Sequence, residues 1–588
     1  MPVKPCHLVG WSSKLCHTML AMFLTRLRRK YDLTRGTTLL LIVLWLFFGA
    51  FLVYPLVYVF SQAFYVNGRF SLTFFRLMLA DTVLRDCVIN SINVGAAATV
   101  LTTIIGLPLA FVMTRRRFRG KGILQALILV PMVMPPFVGA IGMRQFFARF
   151  GSINLALMKL GIISEPVDWF GGGGFVGVVI LEALHLYPIM YLNIAAALAN
   201  VDPSMEEAAQ NLGASPWKLF RTITFPLMLP GYFAGAVIVF IWAFTDLGTP
   251  LIFQYRTVVP VQIFDNVKDI RANPMGYALV VLVIVMTMLF FYVAKRFVGE
   301  RRYEMMGRGH VAERERPLGP VGTVLALVGI LSLIGIALLP HISVLLTSIS
   351  AKWFMTVVPE KVSLTYYGKV FSHELTLPSI RNSLLFSSFS TVLDVVLGVF
   401  IAYLLTRRRI PGHNLLDATA MLPLALPGIV LAFGYVASFA DTPLDPRQNP
   451  TLLLIIAYGV RRLPYTVRAA YAGFQQTSVA LEEASQNLGA SPFTTLRRIT
   501  FPLISANLVA GAILAFSFAM LEVSDSLILA MKEQYYPITK AIFHLMQRIA
   551  DGPFIASAMG MLGMALLTVS LVAAGRFLGA RMGQLFRA

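Results

Sequence analysis

Apolar residues fall along this chain in about twelve long blocks, parted by short polar stretches. About 20 mostly apolar residues let a helix cross roughly 30 Å of hydrocarbon. The blocks lie near 38–62, 88–114, 123–147, 174–199, 227–252 and 276–297, then near 321–348, 383–406, 414–440, 451–473, 503–530 and 555–578. The pattern predicts an all-α integral membrane protein with about twelve transmembrane helices.

The blocks are also written twice. SLTFF at Ser71 matches SLTYY at Ser363, Asn90-Ser91 matches Asn382-Ser383, and the Thr-Arg-Arg-Arg run at Thr114 matches that at Thr406. Pro131 and Pro135 match Pro423 and Pro427 at the same offset of 292 residues. Later pairs, such as Pro188 with Pro464, are 276 apart, so the first half carries about 16 extra residues near the Gly171–Gly174 run. No Lys-Ser/Thr follows those glycines, so they read as a flexible loop and not a phosphate cradle. Six spans per copy is an even number. The halves therefore share one orientation, as a parallel repeat about an axis along the membrane normal.

The expected organisation is a tail over 1–37, a first six-span domain over 38–298, a charged linker over 299–320, a second domain over 321–578 and a tail over 579–588. Between the fourth and fifth spans of each half lies a polar, helix-forming loop, at 200–226 and 474–502. EEAAQNLGASPWKLFRTITFPL starts at Glu206, and EEASQNLGASPFTTLRRITFPL starts at Glu482; 16 of the 22 positions are identical. Asp202-Pro203 and Ser478 supply N-caps for a short helix, Gly213 and Gly489 suit its left-handed C′ position, and Ser215-Pro216 and Ser491-Pro492 cap the next helix. Pro226 and Pro502 are expected to mark a bend into the following span. The small side chains of Ala208, Ala209 and Ala214, with Gly213, admit a closely approaching partner.

Composition sharpens the class. The chain has 588 residues, is 57% hydrophobic and only 13% charged, with a mean hydropathy of +0.74, which is too apolar for a soluble fold. A net charge of +21 raises the question of nucleic acid, but its distribution answers it. With a cytoplasmic N-terminus and alternating spans, 29 Lys/Arg fall inside, 16 outside and four near or within spans. Clusters at 26–30, 115–117 and 407–409 all lie inside, as the positive-inside rule requires. No nucleic-acid partner is expected, and the bilayer is. Three cysteines imply no disulfide framework, and Cys6-His7 and Cys16-His17 match no usual zinc spacing, so no metal site is expected.

The paired loop carries a resemblance. Glu207, Ala208, Ala209, Gly213, Ile223, Phe225 and Pro226, and again Glu483, Ala484, Gly489, Ile499, Phe501 and Pro502, are similar to the EAA loop of permease subunits from binding-protein-dependent bacterial ABC importers. Ser485 replaces the second alanine, and phenylalanine replaces the usual leucine before proline. The stretches 246–264, 461–474 and 522–543 resemble the ferric-iron-type permeases, a branch that also includes 2-aminoethylphosphonate and thiamine permeases.

The resemblance implies a type I importer permease fold in the bacterial inner membrane, with both termini cytoplasmic. It implies two ABC ATPase subunits docked on the loops, with Glu206, Glu207, Ala208, Ala209, Gly213, Ile223 and Pro226 as coupling residues, and Glu482, Glu483, Ala484, Gly489, Ile499 and Pro502 as their counterparts. An extracytoplasmic binding protein delivers the solute, and one fused chain serves each complex. ATP and magnesium belong to the ATPase subunits. This chain has no Walker A run ending Gly-Lys-Ser/Thr and no catalytic constellation, so it is expected not to be an enzyme. Ferric iron leads as cargo, ahead of 2-aminoethylphosphonate, thiamine and polyamine. A secondary transporter shares the repeats and buried charges but has no use for paired ATPase-docking loops.

Ionisable groups inside spans are costly and face bundle interiors or water-filled cavities. Glu182 and His185 share a face of the fourth span, and Arg461, in the tenth, aligns with His185. Asp246 and Glu522 occupy equivalent places near the ends of the fifth and eleventh spans, and Asp525 follows. One reading sets Asp246 and Glu522 on an outward vestibule for an arriving cation; the other makes them a helix cap or an ion pair with an arginine of the tenth span. Glu182, His185, Arg461 and Arg462 are candidates for the path or for a structural network. Asp394 and Asp417 lack acidic counterparts in the first half and are read as structural.

Overall fold

A computed structural model describes residues 31, 34–66, 68–171, 174–270, 274–299, 316–548 and 550–578. The Cys6-His7 and Cys16-His17 pairs, the basic cluster at 26–30, most of the charged linker and the C-terminal tail lie outside the described residues. The rest is almost wholly helical; three strand pairs, each strand of two or three residues, are the only β structure among the described residues.

All twelve expected segments are present as helix, but not all as simple spans. Among the described residues, nine single helices are long and apolar enough to cross: Arg35–Phe64, Thr82–Arg115, Phe175–Ala199, Pro216–Thr245, Met275–Ala294, Pro320–Ser348, Thr376–Arg407, Pro492–Met520 and Gly552–Ala573. The tenth segment, Thr451–Gln476, is long enough, but Arg461, Arg462 and Arg468 make it too charged to qualify on composition. The third and ninth, each written as one apolar block, are sharply broken, by 91° and 102°.

The break has a local cause, and it is written in both copies. Met134 and Leu426 precede Pro135 and Pro427, and both are extended, with φ −87°, ψ 129° and φ −91°, ψ 126°. A residue before proline is pushed out of the α region, and proline has no N–H to continue the helix. The following arms, Pro136–Phe147 and Gly428–Ser438, therefore start afresh in a new direction.

Two further expectations are corrected. The fifth and eleventh spans end early, at Thr245 and Met520, and are followed by short helices Gly248–Phe253 and Ser524–Leu529, then Val259–Asn266 and Ile538–Met546. Nor do Pro226 and Pro502 start a new helix. Each sits just after a five-residue π-helical turn, Phe220–Thr224 or Leu496–Thr500, inside one continuous span. The wider turn shifts the hydrogen-bond register and accommodates a residue with no N–H.

The halves are interlocked by exchange of their first spans. Arg35–Phe64 packs on the broken arm Gly428–Ser438 of the other half, and Pro320–Ser348 packs on Pro136–Phe147. Tyr54 Oη donates to Ser438 O at 3.2 Å, Tyr435 Oη donates to Phe51 O at 2.7 Å, and Ser343 Oγ donates to Gly142 O at 2.8 Å. Equivalent glycines permit both approaches: a Cβ on Gly142 would lie 2.4 Å from Pro340 O, and one on Gly434 would lie 3.2 Å from Pro55 Cβ. Burial follows this plan. The fourth span is 72% buried, whereas the seventh is only 17% buried and turns Val321, Val324 and Leu325 outward to lipid.

Candidate functional site

Each loop between the fourth and fifth spans folds as a helix–glycine–helix elbow, built by the same caps. Asp202 accepts from Ser204 N at 2.8 Å and starts the helix Pro203–Asn211; Ser478 accepts from Ala480 N at 3.3 Å and starts Val479–Asn487. The Ser204 amide holds the Asp202 carboxyl below the usual carboxylate range. Gly213 and Gly489 take φ of +79° and +88°. Their N–H groups return to Gln210 O and Gln486 O at 2.9 Å, while Ala214 N reaches Ala209 O and Ala490 N reaches Ser485 O. That paired bonding is a Schellman stop, which glycine makes without a Cβ clash. Ser215 and Ser491 then cap the next helix by accepting from Lys218 N and Thr494 N.

The elbows turn two kinds of residue in opposite directions. Leu212 and Leu488 stand 89% and 90% exposed, with Trp217 and Phe493 beside them at 70% and 71%. Large apolar groups this bare on a polar loop mark an interaction surface. The sequence reading named their small neighbours and missed the leucines, although an identical Leu-Gly pair in both copies was the available signal. Ala208, Ala484 and Glu483 are also exposed, Glu207, Ala209, Ile223 and Ile499 are half-buried, and Pro226 is more enclosed than Pro502.

Glu206 and Glu482 face inward instead. Arg115 Nη2 meets Glu206 Oε1 at 3.0 Å, and Thr224 Oγ1 donates to the same oxygen at 2.8 Å. Arg407 Nε meets Glu482 Oε1 at 3.0 Å, and its Nη2 donates to Phe474 O and Thr477 O at 3.0 and 2.8 Å. Arg115 and Arg407 are the last residues of the second and eighth spans. The basic runs read as topology signals therefore also pin each elbow to its bundle. Arg407→Ala leaves Glu482 without its cation and takes a side-chain donor from Thr477 O and Phe474 O, of which Phe474 O keeps the Thr477 N–H. Breaking a pair this enclosed costs about 3 kcal/mol or more. The expected result is a melting temperature several degrees below wild type, with a weakened grip of the second elbow; an unchanged melting curve would refute the pin.

The intramembrane charges do not form one site. In the second half Glu522, 4% exposed, is held by Arg461 Nη1 at 2.5 Å and closely by Arg462 Nη2, and Arg461 also lies 3.5 Å from buried Asp525. Glu522 thus faces two guanidinium groups of the tenth span, which supply the compensating charge that a carboxylate at this depth needs. In the first half Asp246 Oδ2 accepts from Thr249 N at 2.8 Å and caps Gly248–Phe253, while Thr249 Oγ1 donates to buried Glu182 at 2.9 Å. His185 Nδ1 lies 3.2 Å from Pro131 O at the broken third span. Asp394 is fully buried near the middle of the eighth span, and Asp417 lies 3.4 Å from Arg468. Among the described residues no group of three or more His, Cys, Asp or Glu side chains is placed to hold a metal ion.

At the ends of the spans away from the elbows, the two halves meet on their axis. Ile263-Phe264 and Ile542-Phe543 close equivalent stretches, and the Phe264 and Phe543 rings touch edge to face, with centroids 6.4 Å apart. Equivalent residues that contact each other must lie at the symmetry axis. An aromatic pair therefore lies at the axis on that face.

Comparison with known proteins bears on what this arrangement serves. The family model described as "Binding-protein-dependent transport system inner membrane component" matches residues 102–303 and again 394–584. The chain is 28% identical over 535 residues to a ferric transport system permease protein of Actinobacillus pleuropneumoniae, covering 88% of this chain and 74% of that one. It is 29% identical over 500 residues to a putative ferric transport system permease protein of Haemophilus influenzae, covering 83% and 76%. A molybdenum transport system permease protein of Haemophilus influenzae is 28% identical over 237 residues, covering 38% of this chain and 99% of its own length.

Proposed function

Because the chain belongs to the family of binding-protein-dependent transport system inner membrane components, and so is a multi-pass permease of an ABC importer, we propose that it serves as the single fused permease of a ferric iron importer. Ferric iron is the cargo named for relatives aligned across most of this chain. The elbows dock two ATPase subunits, which hold the ATP and magnesium, on the cytoplasmic side, where both termini also lie. An extracytoplasmic binding protein delivers cargo to the opposite face.

The observation that carries this reading is the doubled elbow. Two copies of one cap-and-glycine design present Leu212 with Trp217, and Leu488 with Phe493, at equivalent places. A two-fold motor needs two such footholds, and one fused chain supplies both. Arg115 and Arg407 carry a pull on each elbow into the second and eighth spans. Repacking of the bundle about the axis then switches access between faces, as rigid elements with two arrangements can.

The test is reconstitution in proteoliposomes with the ATPase subunits and the loaded binding protein. Iron uptake should require ATP, the ATPase subunits and the binding protein together. Uptake by the chain alone, independent of ATP, would sink the importer mechanism; ATP-driven uptake of other solutes but not iron would sink only the cargo.

A further inference from the structure

The contact between Phe264 and Phe543 at the axis is not purely aromatic. Lys540 lies one helical turn before Phe543 on Ile538–Met546, and its ammonium sits 5.5 Å from the centre of the Phe264 ring of the other half. It is equally 5.5 Å from the centre of the Tyr536 ring, and it donates to Leu527 O at 2.7 Å. Among the described residues it forms no ion pair, and the nearby charge is another cation, Lys268. Burial first, then Lys268, lowers the Lys540 amine to about 8. A cation is thus held against the axis by ring faces and one carbonyl, where a carboxylate would have been the ordinary partner.

We propose that Lys540 is the charge-selecting residue at this axial contact, and that cargo crosses this point with net negative charge, as an oxyanion or as a metal ion wrapped in anionic oxygen ligands. The inference rests on the importer reading and narrows its substrate class. The location supports it: a residue three positions from a symmetric self-contact stands beside any path that follows the axis. So does the chemistry, since pores that pass anions are lined by Lys or Arg, and those that pass cations by Asp or Glu. The ring faces hold the ammonium without neutralising it, so its field stays available to an arriving anion. When the halves part, the Phe264 contact is lost and the amine has only its carbonyl to leave. A bare trivalent ion would meet the same field as repulsion. The competing role is structural: the amine merely ties Ile538–Met546 to a carbonyl in the last turn of Ser524–Leu529.

Cargo moved per ATP hydrolysed separates these roles, because a packing defect does not change that ratio in a direction set by cargo charge. The complete importer is assayed in proteoliposomes with ferric ion and with 2-aminoethylphosphonate as probes, each offered on its binding protein. Lys540→Arg should keep the ratio, and Lys540→Met should lower it about tenfold, the lower end of what focused fields do to encounter rates. A ratio that rises in Lys540→Met, as a passing cation requires, overturns the proposal. So does an unchanged ratio, or an equal fall in both variants. If the wild type moves the phosphonate but not iron, the ferric reading fails and the Lys540 comparison is read on the phosphonate.

Discussion

Replacing Leu212 and Leu488 together with aspartate should strip the ATPase subunits from the purified complex while leaving the chain folded in the membrane. Both leucines are about nine-tenths exposed, so this chain's own packing has little to lose. A partner that covers them gains about 2 kcal/mol for each buried side chain, and placing a charge there adds a desolvation penalty. Two elbows then lose about 4 kcal/mol or more, roughly a thousandfold in affinity. The neighbouring glycines offer a second route to the same result. No atom lies within 4 Å of a Cβ built on Gly213 or Gly489, so a bulky charged residue there strikes the partner and not its own fold. Its cost to the elbow is the left-handed φ, about 1 kcal/mol. Co-purification of the ATPase subunits, with insertion checked in parallel, is the measurement. Undiminished co-purification would mean that the elbows serve something else.

Glu522→Ala should damage the membrane domain itself. It takes the carboxylate from Arg462 and leaves Arg461 only Asp525, 3.5 Å away, in a segment that must sit inside the bundle. Removing one partner of an enclosed pair costs about 3–5 kcal/mol, because the remaining charge stays buried and uncompensated. Expression and melting temperature in detergent should both fall well below wild type. Glu522→Ala combined with Arg462→Met, which removes charge on both sides, should recover part of the loss. The alternative, that Glu522 receives cargo, makes the opposite prediction: full stability with uptake abolished. Measuring melting temperature and uptake on the same preparation decides between them.

How much of this was legible in the residues differs from part to part. The elbows were nearly complete, because caps, first-turn prolines and stop glycines act over four or five residues and need no distant partner. The breaks at Met134–Pro135 and Leu426–Pro427 were also within reach. Pro135 and Pro427 are a repeat pair, and the effect of proline on the preceding residue is local; the apolar run continues across the break, so hydropathy alone does not show the turn. For Asp246 and Glu522, equivalence in sequence suggested a shared role. Asp246 became a cap and Glu522 an ion pair, because the tenth span carries Arg461 where the fourth carries His185.

By itself, then, the sequence determined the membrane class, the direct repeat, the order of the segments and the two elbows. Each of these depends on transfer of apolar blocks out of water or on hydrogen bonds between near neighbours, and both are properties of a short stretch of chain. Only the tertiary structure decided which way Glu206 and Glu482 turn, that the first spans are exchanged between halves, and that Phe264, Phe543 and Lys540 meet on the axis. Those are contacts between residues tens to hundreds of positions apart. Their energies depend on which side chains share a low-dielectric space, and that space exists only once the helices have packed.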